Sequence, residues 1–441
     1  MKKPVLLLSA LLMAFGTAAL SGCGGDGKIH VKFWHTMGHE NQKLLNAMIA
    51  EFNKIYPDVK IDHTSGGDYT ALSEKLESAI PAGKAPTMAF CYPDNVADYL
   101  SSNVVVDLSS YLEDENLKYT EEDGLVSDYQ ESYWKEGSDY QKPGLFSVPF
   151  AKSTEVLFYN KTIFDKYNLE VPTTWDEMWT LCRKVKEEVM PKESSIEFPL
   201  GYDSDANLFI TLCEQEGIPY TTNENCTKAE DHILFNNDKA KAMATRIVGY
   251  MDEGLFYTKG CLPNNAYTST YFTEGKIIMS IGSTGGTSYQ VSENFTVAVA
   301  PAPATVAGES RYVSQGPSIC FFKGYSQAQS EAAWNFYKFI TRANNTAAYS
   351  KATGYEPVRL SSYDIPAYQE YLQGGTLQAA TSKATALVKG RFFTSAVYQG
   401  SAAARDAVET IFANMYIADR RLDVNTAFAN AYKQAKDSTK L

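Results

Sequence analysis

The stretch Ser147-Val148-Pro149-Phe150-Ala151-Lys152-Ser153-Thr154-Glu155-Val156-Leu157-Phe158-Tyr159-Asn160-Lys161 decides how the rest of the chain is read. Short apolar runs alternate with amphipathic segments before it, and the same alternation begins again after it, which is the pattern of a crossing between two α/β lobes. Pro149 keeps Val148 out of the helical region, while Val156 to Tyr159 is a β-branched and aromatic run suited to a buried strand. Between them, Ser153 and Thr154 fall at the lobe boundary, where their hydroxyls can reach a ligand held in a cleft. An ordinary loop-to-strand junction inside one domain is the alternative reading of the same residues.

The chain opens with Lys2 and Lys3, followed by an apolar run from Val5 to Leu20 that is broken by Gly16 and ends in Leu20-Ser21-Gly22-Cys23. The run is short for a bilayer span, which needs roughly 20 apolar residues, and the small Ser21 and Gly22 suit a peptidase. Residues 1–22 therefore read as a secretory signal. A Cys at the end of such a signal resembles a bacterial lipobox, which makes Cys23 the lipidated first residue of the mature protein and 23–28 a flexible tether. The alternative is a cleaved signal whose Cys23 is incidental. Lipidation holds a protein on a membrane surface without spanning it.

Loss of residues 1–22 removes Lys2 and Lys3 and no acid, moving the formal charge from -12 to -14. An acidic chain without clustered Lys and Arg is a poor partner for nucleic acid. About 420 residues exceed one comfortable core, so two lobes are expected. Beyond Cys23 the cysteines stand at 91, 182, 213, 226, 261 and 320 with no CxxC spacing and offer no zinc site. Cys213 and Cys226 either pair or remain thiols. His35 and His39 are four apart, yet Gly38 opposes a helix there and no third ligand is placed. No metal or cofactor is expected.

Ile29 to Phe33 alternates as a strand and leads through Trp34-His35-Thr36-Met37 into a helix carrying Leu44, Leu45, Met48, Ile49 and Phe52. Ligands of open α/β sheets lie beyond the carboxyl ends of strands, which puts Trp34 and His35 at a cleft wall. Gly66-Gly67-Asp68-Tyr69 is a close-approach loop, and Thr174 with Glu177 forms a capping box. Leu200 to Asn207 reads as a strand ending in a polar loop at the cleft. Ile277 to Ile281 is a strand feeding Gly282-Ser283-Thr284-Gly285-Gly286, whose free N–H groups suit a phosphate or a row of sugar hydroxyls equally. Ile281 to Gly282 reads as a second crossing and Ser314-Gln315-Gly316 as a third, with Gly316 allowing close backbone approach to ligand. The carboxylates crowded from Glu113 to Asp123 read as a solvated face.

Pro149-Phe150, Ser153-Thr154 and Val156 to Lys161 resemble the first interlobe crossing of family 1 extracellular solute-binding proteins of ABC importers, and Phe33 to Met37 with Glu40 is similar to the opening of the family's glycerol-3-phosphate-binding branch. The resemblance implies an α/β, two-lobe, type II periplasmic-binding-protein-like fold with a ligand cleft and three crossings. It also implies ligand contacts at Tyr69, at Asp94 near the place of a Glu in the branch, at Tyr355 in Gly354-Tyr355-Glu356, and at Arg391 in Lys389-Gly390-Arg391. The Trp that the branch carries in the polar loop ending Leu200 to Asn207 is absent. Lobe 1 is expected over 29–150 plus 282–316 and lobe 2 over 151–281 plus 317–441.

The function expected is that of a tethered monomeric binding protein that closes on a sugar or phosphorylated polyol and presents it to importer permease subunits. A surface glycoside hydrolase is the alternative, since two acids suffice for that chemistry and sequence does not show their spacing. The 29 tyrosines supply amphipathic faces for sugars or glycerol. Ser, Thr, Gly, Tyr and Asp serve neutral sugars and phosphorylated polyols alike, and Arg391, whose planar fork grips phosphate, is the residue that would favour the second.

Overall fold

The computed structural model describes residues 26–226 and 228–439, so the signal read over 1–22 and the lipidation read at Cys23 lie outside the described residues. Two five-stranded sheets organise the chain. The first has the order β2-β1-β3-β11-β4, made of β1 (Ile29–His35), β2 (Val59–Ser65), β3 (Met88–Cys91), β4 (Val148–Pro149) and β11 (Ser318–Phe321). The second has the order β7-β6-β8-β5-β9, made of β5 (Glu155–Asn160), β6 (Leu200–Tyr202), β7 (Phe256–Thr258), β8 (Met279–Ser283) and β9 (Val297–Pro301). A short parallel pair, β10 (Tyr312–Val313) with β12 (Phe392–Phe393), lies apart from both. This is the two-lobe type II arrangement that the resemblance implies.

Local chemistry explains most elements. Leu45, Met48 and Phe52 form the buried stripe of helix His39–Ile55. Thr174 and Glu177 close the capping box of helix Trp175–Lys184, and Asp68 caps helix Tyr69–Ala79 through the Ala71 N–H at 2.8 Å.

The crossing at Pro149 is where it was read: β4 ends in the first sheet and β5 begins in the second. The expected lobe boundaries fail beyond it. Ile281 and Gly282 do not cross, since both lie inside β8, opposite Leu157 and Val156 of β5. The chain stays in the second sheet through β9, so residues 282–301 are not part of lobe 1. Conversely β11 pairs with β3 and β4, helix Gln327–Ile340 packs on β1, and helix Ala343–Thr353 packs on helix His39–Ile55. The beginning of 317–441 is thus lobe 1, and the chain returns to lobe 2 before helix Leu377–Ala386, which packs on β9. The cause is strand exchange. Each sheet takes one antiparallel strand, β5 or β11, from chain that has just crossed, and an apolar run fits either sheet equally well.

The crossing segments run side by side. Ser153 and Gln315 exchange backbone hydrogen bonds of 2.8 Å in both directions, and the Glu356 N–H donates to the Lys152 carbonyl at 2.6 Å. Of the acidic run from Glu113 to Asp123, Asp123 departs from the expected solvated face, being buried and paired with Arg342 at 2.9 Å and Lys338 at 3.4 Å. Cys213 and Cys226 are free thiols.

Candidate functional site

The first crossing buries two charged side chains that any local reading places in solvent. Lys152 pairs with Glu136 and donates to Ser318 Oγ at 2.9 Å, while the second Glu136 oxygen accepts from Thr394 Oγ1 at 2.8 Å. Breaking such a pair from one side strands a buried charge, which costs about 3–5 kcal/mol, so Lys152 locks the first crossing to β11 and to the segment after β12. Three residues on, Glu155 accepts from the Tyr202 hydroxyl and, at 3.0 Å, from Asn207 Nδ2. Asn207 also donates to Gln315 Oε1 at 2.9 Å and accepts from Arg405. Burial pushes the Glu155 carboxyl up to about 7, opposed by the bonds from Tyr202 and Asn207 and by the Arg405 charge.

Two cavities flank this network. The larger, of about 830 Å3, lies on the second lobe between the end of β6, helix Thr268–Thr273 and the loop after β8. Glu155, Asp203 and Glu409 bring carboxylates to its wall, Lys259 brings the ammonium, and Tyr267 and Tyr289 bring exposed rings. Asp203 is held by the N–H and hydroxyl of Thr268, both at 2.7 Å, and burial raises its pKa. The smaller cavity, of about 390 Å3, is bounded by both lobes, with Tyr92 and Asp94 from the first and Tyr220 and Arg405 from the second. Gln315 and Tyr267 line both spaces, which makes them one interlobe cleft. Buried polar atoms in its wall lack hydrogen-bond partners among the described residues: Gln290 Oε1 in the larger part, Ser314 Oγ and Ser401 Oγ in the smaller. Each carries a desolvation cost of about 1–3 kcal/mol.

The residues expected at the site divide three ways. Asn207 and Ser283 line the larger part of the cleft, and Asp94 and Gly316 the smaller. Tyr69 and Tyr355 meet with hydroxyls 3.5 Å apart, and the Tyr69 ring lies 4.6 Å from that of Tyr92. The loop after β8 carries Gly285 because a Cβ there would come within 2.8 Å of the Tyr355 ring. The same loop belongs to lobe 2, so it supports Tyr355 and does not close on a ligand from the first lobe.

A second group holds the hinge. Thr154 Oγ1 donates to the Val313 carbonyl at 2.8 Å, Thr284 N–H donates to the Thr154 carbonyl at 2.9 Å, and Thr284 Oγ1 accepts from the Thr154 N–H at 3.3 Å. Ser153 is buried between crossings. Gly316, at φ +91°, makes its close approach to the chain itself, since a Cβ would lie 2.3 Å from the Ala151 carbonyl oxygen.

A third group is elsewhere. His35 is fully buried and lines neither cavity: its Nδ1 accepts from the Met37 N–H, so its Nε2 carries the proton and donates to His63 Nδ1 at 3.0 Å, which leaves His63 Nε2 to donate to Asn46 Oδ1. Burial and His63 push the His35 pKa down to about 4. Trp34 lies under Lys75, whose Nζ is 4.0 Å from the ring centroid. Arg391 donates to the Leu387 carbonyl at 3.1 Å at the end of helix Leu377–Ala386 and lines neither part of the cleft. The arginine that does line it is Arg405, in a run of alanines without a motif to mark it. Glu155 stood in the opening stretch, but nothing local said that it turns inward.

A family described as bacterial extracellular solute-binding protein matches residues 47–374. The sn-glycerol-3-phosphate-binding periplasmic protein UgpB of Pectobacterium atrosepticum is 24% identical over 392 residues, covering 84% of this chain and 82% of the relative. UgpB of Escherichia coli is 25% identical over 387 residues, covering 83% and 82%. Among solved structures, the GacH receptor of Streptomyces glaucescens, solved unliganded and with acarbose, has a TM-score of 0.71 at 19% identity over 93% of this chain and 99% of that one. UgpB of Mycobacterium tuberculosis in complex with glycerophosphocholine has a TM-score of 0.71 at 19% identity over 92% and 97%. Identity this low carries the fold alone.

Proposed function

Because the chain belongs to the bacterial extracellular solute-binding proteins, and is a binding protein and not an enzyme, we propose that it captures a neutral carbohydrate between its lobes and delivers it to the permease of an ABC importer. The glycoside hydrolase alternative falls with the family assignment. One observation carries the choice of ligand: three carboxylates and a single ammonium line the larger cavity. Such a wall repels an anion and accepts hydrogen bonds from hydroxyls, while Tyr267 and Tyr289 offer flat faces to sugar rings and replace the stacking Trp that the sequence lacks.

A ligand that touches both Asp94 and Glu155 contacts both lobes, and only such differential contact stabilises the closed state over the open one. A lipid on Cys23 would keep the protein beside its permease.

A phosphorylated polyol is the second reading. It is favoured by Arg405 in the smaller part of the cleft and by relatives named as glycerol-3-phosphate-binding. Thermal-shift screening followed by isothermal titration separates the two, because a ligand at 100 times its dissociation constant stabilises by about 2.7 kcal/mol. The first reading predicts stabilisation by neutral oligosaccharides. Binding of glycerol-3-phosphate or a glycerophosphodiester, with every neutral sugar ignored, refutes it.

A further inference from the structure

The cleft does not end at Lys259 and Glu409. Both residues also line a third space of about 410 Å3 on the outer side of the second lobe. Its floor comes from the turn after β7 and its walls from helices Ser401–Glu409, Ile411–Tyr416 and Val424–Ser438. Lys259 leans on the cleft side, its Nζ 4.1 Å from the centre of the Tyr267 ring, so the ring shared by both parts of the cleft, the lysine and the outer groove succeed one another. The 830 Å3 part alone approaches the upper end of the roughly 300–1,000 Å3 usual for small-molecule sites. Spaces at either end of it exceed what one or two sugar rings need.

The chemistry of the outer groove is that of the cleft, continued. Asn265, Asn414, Asn430 and Gln434 all line it, and none of the four amides bonds another protein group among the described residues. Each amide offers donors and an acceptor, which is what vicinal hydroxyls demand. The charges are balanced, Lys259 and Arg420 against Asp406 and Glu409, so the groove attracts no ion of either sign strongly. Asn265 also serves the left-handed turn it occupies, at φ +50°; Asn414, Asn430 and Gln434 neither cap a helix nor pair with a neighbour among the described residues, which leaves their amides free for a ligand in the groove.

We infer that this groove is an outer subsite, and that the ligand is a neutral oligosaccharide long enough to run from the interlobe cleft past Lys259 and Glu409 onto the amides of the C-terminal helices. This rests on the carbohydrate reading of the cleft. The unit entering the groove gains a few neutral hydrogen bonds, so affinity should rise by about tenfold when the chain becomes long enough to reach it.

The test is isothermal titration of the full mature chain with α-1,4- and β-1,4-linked gluco-oligosaccharides and β-1,4-linked xylo-oligosaccharides of two to six units. Wild type and the double variant Asn430→Ala plus Gln434→Ala are compared, with Asn414→Ala as an independent variant. Alanine at these helical positions, where no side-chain hydrogen bond within the described residues is lost, preserves the fold. The expected result is a step in affinity with length in the wild type that both variants lose, while their affinity for the shorter members is unchanged. Affinity that is flat with length, or a variant that weakens short and long members alike, overturns the outer subsite and leaves the carbohydrate reading standing. Failure of every oligosaccharide to bind overturns both.

Discussion

Glu155→Gln should stabilise the ligand-free protein at neutral and alkaline pH and leave it nearly unchanged in acid. Glu155 is buried and its carboxyl is held up to about 7 against an ordinary 4.5, chiefly by burial, with Asp203 acting in the same direction and Tyr202, Asn207 and Arg405 against it. Between these values the native chain keeps a proton that the unfolded chain has released, so stability is fully present below about pH 4.5 and is lost as pH rises through 7. At 1.36 kcal/mol for each pH unit separating the two values, the charge costs about 3 kcal/mol by pH 8. Glutamine keeps the shape. Its oxygen accepts from Asn207 Nδ2, and its amide donates to the Tyr202 hydroxyl, which accepts as readily as it donates.

The assay is urea unfolding at pH 5, 6, 7 and 8. The difference between variant and wild type should grow from under about 1 kcal/mol at pH 5 to about 3 kcal/mol at pH 8. Glu356 supplies an internal control, because burial also raises it to about 7 and the substitution leaves it in place. The variant should therefore lose part of the pH dependence and not all of it. A difference that does not change with pH refutes the argument that the buried charge is what Glu155 costs.

Gly316→Ala forces a Cβ to within 2.3 Å of the Ala151 carbonyl oxygen at a φ of +91°; left-handed strain and overpacking together should cost about 2–5 kcal/mol, read from the urea midpoint. Arg391→Ala should leave ligand affinity within about twofold of wild type by isothermal titration, since the side chain bonds the Leu387 carbonyl and lines neither part of the cleft; a loss of about tenfold, the size of a charge-assisted bond, would return it to the site. Cys23→Ser should move the protein from the membrane fraction to the soluble fraction with binding intact, and unchanged membrane retention would refute lipidation.

Readings that depend on neighbours in sequence agree with the structure. The capping box at Thr174 and Glu177, the cap at Asp68 and the apolar stripe of His39–Ile55 are all set within a turn or two of chain, and the first crossing follows from Pro149 ahead of a β-branched run. Asn207 and Ser283 could be read toward the cleft from polar loops that follow strands, whereas Asp94 rests on the family resemblance and lies in helix Pro93–Ser101. The assignment of strands to sheets was not legible. β8 and β11 are both short buried strands, and what separates them is the partner across the ladder. Nor were the charges inside: Lys152 and Glu155 are ionisable residues on an apolar run, and only Glu136, Ser318, Tyr202 and Asn207, brought from distant segments, make their burial tolerable.

By itself the sequence determined the period of each element, the ends set by caps and prolines, the acidic charge and the two-lobe class, because each of these is a short-range or summed property. Only the tertiary structure decided which sheet each crossing feeds, that Thr154 and Thr284 hold the hinge, that His35 is core, and that the cleft's arginine is Arg405 and not Arg391. Those outcomes depend on which groups meet from separate segments of chain, and hydrogen bonding and burial act on distance in space, which the order of residues does not record.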